Sequence, residues 1–177
     1  MLLRMSGRFQ RHFSCSFDAG TPPVLPFPQT WNIDLFRHGR ELVVLASEEF
    51  SLFTLLIPIK GTRSLETFFA PFRERLERLF ENIRLWEKPD LTAFTLSRRT
   101  DRKVIGSQCD FLRLADAYLS EQGPPLSAEC LLRVEENLNI APRPLIGMES
   151  PIDVLMRETE KLKYGRQSGR TTHRKSR

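Results

Sequence analysis

Short apolar runs separated by polar turns dominate the middle of the chain: WNIDLF from Trp31, ELVVLA from Glu41 and SLFTLLIPI from Ser51, divided by Arg37-His38-Gly39-Arg40 and Ser47-Glu48-Glu49-Phe50. Runs of this length, rich in Val, Ile and Phe, predict three strands of an antiparallel meander. Side chains alternate across a strand, so Ile33, Leu35, Leu42, Val44, Phe53, Leu55 and Ile57 share one face. Val43, Leu45, Leu52 and Leu56 make the other face apolar too, so cover is expected on both sides.

Lys60-Gly61-Thr62-Arg63 breaks the strand pattern, and the spacing then changes. Leu65, Phe68, Phe69, Phe72, Leu76, Leu79, Phe80 and Ile83 recur at steps of three and four, which predicts an amphipathic helix capped by Ser64. Pro71 is expected to kink it or to mark a fresh start. A fourth strand is expected over Leu91 to Ser97, and a second helix from a Ser107 cap, carrying Phe111, Leu112, Leu114, Ala115, Tyr118 and Leu119. Gly123-Pro124-Pro125 ends that helix, and Ser127 starts a third with Cys130, Leu131, Val134 and Leu138 inward. Ile140, Leu145 and Ile146 are expected to pack a Pro/Gly loop against the body. Ser150-Pro151-Ile152-Asp153 signals a last helix that fades near Tyr164-Gly165.

The ends read differently. Pro22, Pro23, Pro26 and Pro28 withhold amide protons from any central ladder, so residues 1 to 30 are expected to form an extended arm, packed at most through Val24, Leu25 and Phe27. Residues 164 to 177 read as a disordered basic tail, since Arg166 to Arg177 lacks apolar residues. The expected architecture is α+β: an antiparallel β-meander of about four strands packed against three or four helices, in one domain over residues 31 to 163.

Composition narrows the class of protein. With 40% hydrophobic and 28% charged residues in 177, the chain is of ordinary globular type, and no stretch reaches the roughly 18 apolar residues of a membrane span. Cys15, Cys109 and Cys130 are odd in number and show neither CxxC nor Cys/His spacing. His12, His38 and His173 are scattered. No metal, cofactor or disulfide framework is expected, and a reducing cytoplasm is the simplest setting. The start carries Arg4, Arg8 and Arg11 with no acid before Asp18 and no apolar secretory core, which leaves an organellar leader as the competing reading. The net charge of +5 is uneven: seven Lys/Arg and no acid lie from Lys161 onward, so residues 1 to 160 carry −2.

Residues 95 to 111, TLSRRTDRKVIGSQCDF, with WNIDLF from Trp31, GRELVVL from Gly39 and SLFTLLIP from Ser51, resemble the bacterial domain-of-unknown-function family DUF6933 across most of residues 26 to 156. Lys103, Gln108 and Cys109 stand where that family's pattern has Ser, Met and Asn. If the amide of that Asn carries a family function, this chain lacks it. The resemblance implies a bacterial, stand-alone small protein and brings no activity, substrate or cofactor.

Two places could carry recognition. The loop Arg98, Arg99, Thr100, Asp101, Arg102, Lys103 leads to Gly106-Ser107, where an expected helix start would present free amides and nearby cations to an anionic metabolite or nucleotide. The competing reading is a structural connection in which Asp101 pairs with an arginine and Ser107 only caps; the spacing matches no phosphate-loop motif. The tail offers Lys161, Lys163, Arg166, Arg170, Arg174, Lys175 and Arg177 for phosphates, with Tyr164 able to stack on a base; a solubilising tail or docking to an acidic protein competes. Cys109 near a helix start is a weak nucleophile candidate, since no histidine is close in sequence. Trp31 and Trp86 are expected in the core.

The favoured functional expectation is a non-enzymatic binding or regulatory protein acting through a protein or nucleic-acid partner, in the manner of mobile-element, toxin-antitoxin or defence components. The alternative is a small enzyme or ligand sensor using the Arg98 to Ser107 loop. The sequence sets no oligomeric state.

Overall fold

The computed structural model describes residues 1–18, 20–59, 64–85, 87–123 and 126–170, with backbone only for 165–170. The expected meander is present as β2 (Thr30–His38), β3 (Glu41–Glu48) and β4 (Thr54–Ile59), antiparallel neighbours with Leu35 opposite Val44 and Val44 opposite Ile57. The meander is not the whole sheet. Two further strands, β1 (Leu2–Met5) and β5 (Thr95–Arg98), complete a five-stranded mixed sheet in the order β4-β3-β2-β1-β5. β1 runs parallel to both neighbours, with Leu2 opposite Thr30 and Thr95.

The extended-arm expectation for residues 1 to 30 is therefore corrected at its start. Leu2, Leu3 and Met5 are completely buried, and α1 (Gly7–Phe13) follows, its first turn capped by Ser6 accepting from the Phe9 amide. Four residues of strand have too little periodicity to be recognised locally, and their partners lie about 30 and 90 residues away. The fourth expected strand shifts by four residues at its start and pairs with β1, outside the meander. Within the proline segment, Val24 is 98% exposed and packs on nothing, whereas Phe27 is partly buried against the core.

The two sheet faces behave as the alternation predicts. Ile33, Leu35, Val44, Leu55 and Ile57, joined by Leu3 and Met5, pack against α1 and α2 (Glu66–Asn82). Phe68, Phe72, Leu76 and Phe80 supply the α2 side, and Trp31 lies edge-on to Phe72 at 5.8 Å with its indole N–H donated to Pro28 O. Val43, Leu45 and Leu56 meet α3 (Arg102–Gln122) and α4 (Ala128–Ile140) on the opposite face. α2 runs through Pro71, which stands in its second turn, as one helix.

A 3₁₀ turn, η1 (Pro144–Ile146), leads to α5 (Pro151–Arg170), whose Ser150 cap accepts from the Asp153 amide at 3.3 Å. Ile140 and Leu145 are exposed rather than packed. α5 continues past the expected end at Tyr164-Gly165 to Arg170. The strand break at residues 60–63, Trp86, Pro124-Pro125 and residues 171–177 of the expected tail lie outside the described residues.

Candidate functional site

The Arg98 to Ser107 loop does not form the helix start expected of it. α3 begins at Arg102, because Val104, Gln108, Phe111, Leu112, Ala115 and Leu119 form one buried stripe that extends helical spacing back before Ser107. Asp101 is the cap, its Oδ1 accepting from Lys103 N at 2.8 Å and Val104 N at 3.3 Å. Gly106 and Ser107 lie in the helix interior. An anion arriving at the true start of α3 meets amides already bound to a carboxylate. Cys109, half-buried within α3, is likewise not at a helix start.

The loop cations also separate. Arg98, Arg102 and Lys103 are exposed, while Arg99 turns inward with its side chain 8% exposed. Arg99 Nη2 donates to Asp34 Oδ2 at 3.1 Å, as does Arg8 Nη2. The other carboxylate oxygen accepts from Ser6 Oγ at 2.7 Å and Leu35 N at 2.8 Å. Asp34 is fully buried, so this set holds β2, β5 and the cap of α1 to one charge. An acid between Ile33 and Leu35, on the strand face opposite theirs, was the sequence signal for a buried polar centre.

Beside it runs a polar row. Asn32, Arg4 and Ser97 are register partners across β2, β1 and β5 and so share a face beneath α3. Gln108 Nε2 donates to Asn32 O at 2.6 Å. Both amide atoms of Asn32, Ser97 Oγ, Gln108 Oε1 and Arg99 Nη1 are buried without a hydrogen-bond partner among the described residues. Such groups concentrate where a fold carries something besides packing.

Arg4, the middle member of this row, also lines a cavity of about 580 Å³. Arg4, Thr30, Glu48 and Glu49 line it, with Asp101, Lys103 and Val104 from the start of α3 and Leu145, Ile146, Val154 and Arg157 from η1 and α5. Residues 24–27, Phe50 and Leu52 complete the lining, in which Val24, Phe50 and Leu145 expose apolar surface. Arg4 Nη1 contacts Glu49 Oε1 at 2.6 Å, and Glu49 Oε2 is buried with no partner among the described residues. Burial raises the Glu49 carboxyl above the usual carboxylate range; Arg4 opposes that and the Asp101 charge adds to it. Glu48 is pushed up to about 7 by burial, against three hydrogen bonds to its Oε2 from Phe50 N, Ser51 N and Ser51 Oγ. Arg157 is paired with Glu149 and Glu158.

Of the tail residues, Lys161 pairs with Glu158 at 2.7 Å within α5, and Lys163 Nζ donates to Ile83 O at 3.3 Å beyond the end of α2. Tyr164 is 68% exposed. The side chains of Arg166 and Arg170, and all of Arg174, Lys175 and Arg177, lie outside the described residues. Among the described residues no cluster of His, Cys, Asp and Glu could hold a metal ion, and no helix is long and apolar enough to cross a membrane.

Arg4, Asp34, Glu49 and Arg157 are the site residues that sequence reasoning passed over, while Asp101 and Lys103 are loop residues that line the cavity. No curated protein matches this chain. A family model described as Domain of unknown function (DUF6933) matches residues 18–154, a span that contains the meander, α2, β5, α3 and α4 and most of the cavity wall, and the chain belongs to that family.

Proposed function

We propose that this protein is a small-molecule-binding or sensing domain whose ligand occupies the cavity between Arg4, Glu49, the start of α3 and η1. The observation that carries the reading is the cavity itself: about 580 Å³, lined by Leu52, Val104, Leu145, Ile146 and Val154 together with the charged residues Arg4, Glu48, Glu49, Asp101, Lys103 and Arg157. Small-molecule sites have roughly that size, commonly about 300–1,000 Å³, and likewise combine apolar wall with polar groups. Among the described lining residues no nucleophile is paired with a base, and the reading is of binding rather than catalysis. A fragment screen on the full chain by amide NMR tests it. Fragments should shift Thr30, Glu49, Val104 and Ile146, and Leu145→Trp at a half-exposed lining position should remove those shifts. Shifts confined to other surfaces, or unchanged by Leu145→Trp, would overturn it.

A second reading, contact with nucleic acid through the C-terminal residues, is supported by the charge pattern alone: seven Lys/Arg without an acid from Lys161 onward. Lys163 is engaged with Ile83, which leaves Lys161, Arg166, Arg170, Arg174, Lys175 and Arg177 to carry it. Partner docking in a mobile-element or defence setting belongs with this reading.

A further inference from the structure

We propose that the first two turns of α3, Arg102 to Gln108, form a lid that opens as a unit while the rest of the helix stays on the sheet. The motion belongs to the free chain and is independent of what the cavity binds.

The sheet register supplies the cause. Thr54, Ser47, Asn32, Arg4 and Ser97 are successive partners across β4, β3, β2, β1 and β5, so one row of the sheet is polar from edge to edge on the face that α3 and α4 cover. Beside α4 the row is satisfied: Ser47 Oγ and Thr54 Oγ1 lie 3.0 Å apart, Thr54 Oγ1 donates to Leu52 O, and the Thr54 backbone is bonded to Asn139. Beneath α3 it is not. Gln108 Nε2 donates to Asn32 O, but Gln108 Oε1, both Asn32 amide atoms and Ser97 Oγ are buried with no partner among the described residues. Water satisfies such atoms once the helix lifts, so closing over them is opposed by a desolvation cost that apolar side chains would not carry.

Apolar anchoring is one-sided as well. Phe111, Leu112, Ala115 and Leu119 of α3 join the core that holds Val43, Leu45 and Leu56, whereas Val104, buried in the first turn, belongs to neither core cluster among the described residues. Arg102, Lys103 and Gly106 are exposed. Gly106 and Ser107 lower helix propensity in the same stretch. The segment is held chiefly by the Asp101 cap and the Gln108 bond to Asn32. A stretch with few buried apolar contacts is one that opens locally, at less than the cost of global unfolding. Lys103 and Val104 line the cavity, so the same motion withdraws part of its α3 wall.

Native-state hydrogen exchange on the full chain, read by amide NMR at low urea, tests the lid. After correction for intrinsic rates, the amides of Ile105 to Asp110 should exchange about 100-fold faster than those of Ala115 to Leu119, with one shared and shallow urea dependence. Equal protection along α3 overturns the proposal. So does a gradient that rises residue by residue from Ile105, which is fraying of a helix end. Gly106→Ala adds a Cβ that meets nothing beyond its own helix within 4 Å, and should slow the whole set about fivefold by propensity alone. The slowing should include Ile105, whose bond to Asp101 O lies before the substitution; an unchanged Ile105 means fraying and overturns the lid. Asn32→Leu removes both unpaired amide atoms at similar volume and should slow the set by about tenfold. Unchanged or faster exchange in that variant overturns the polar row as the cause, and should the variant fail to fold, Gly106→Ala decides.

Discussion

The side chain of Asn139 pairs with the backbone of Thr54 as a neighbouring strand would: Asn139 Oδ1 accepts from Thr54 N at 2.7 Å and Asn139 Nδ2 donates to Thr54 O at 2.8 Å. One helical turn away on α4, Glu135 Oε1 accepts from Leu56 N at 2.6 Å. Together they occupy the outer backbone groups of β4, an edge strand that would otherwise invite pairing with another chain. At the opposite edge Asp18 does the same for β5, donating its amide to Leu96 O at 2.8 Å and accepting from Leu96 N at 2.6 Å. Asn139→Ala leaves a buried N–H and C=O unpaired and should cost about 2–4 kcal/mol. Urea denaturation measures it, and hydrogen exchange at Thr54 should accelerate with it; protection equal to wild type would contradict this role.

Two buried carboxyls should give the stability a pH slope of definite sign. Burial raises Glu135 to about 7, against the Arg75 guanidinium and the Leu56 amide, and Glu48 is raised to about 7 as described. A folded pKa above the unfolded value means the native state binds the extra proton, so this contribution favours folding at low pH and is lost as pH rises from about 4.5 to about 7. Each carboxyl contributes at most about 1.4 kcal/mol per pH unit inside that window. Glu135→Gln should flatten the fall in stability between pH 5 and 7, measured by urea denaturation at several pH values. An unchanged slope would show that Glu135 does not titrate there.

Asp34 is the counter-charge of a buried arginine. Asp34→Asn leaves Arg99 inside the protein without one and should cost about 3–5 kcal/mol. Arg99→Met in that background should restore part of the loss, because the uncompensated charge is then gone. Additive losses in the double-mutant cycle would mean that the two side chains do not act as a pair.

The start of α3 can be read by comparing two caps. Asp101→Ala should destabilise by about 1 kcal/mol through loss of an N-cap. Ser107→Ala, inside the helix, should stay within about 0.5 kcal/mol. The reverse order in thermal or urea denaturation would move the helix start to Ser107.

Removal of residues 171–177 tests the nucleic-acid reading without cutting into α5. Arg174, Lys175 and Arg177 go with it, so if they contact duplex phosphates the slope of log K against log salt should fall in magnitude by about 3. An unchanged slope, or no binding by the intact chain, would remove that reading.

Local pattern by itself determined the meander, its two faces and the helical stripes, because alternation and three-to-four spacing are written over a few adjacent residues. Ile33, Leu35 and Val44 fall on the face that alternation gives them, and Phe68, Phe72 and Leu76 are buried as their spacing requires. Tertiary structure alone decided the place of Leu2–Met5, whose four residues become the second strand from one edge only because Thr30 and Thr95 arrive on either side. It also decided the fate of the basic loop. Arg99 turns inward because Asp34, 65 residues earlier, is buried and needs a cation, and the helix start moves to Asp101 because Val104 and Gln108 have a sheet to pack on. The cavity is of the same kind: Arg4, Glu49, Lys103 and Arg157 share no motif, and no local pattern records that they meet.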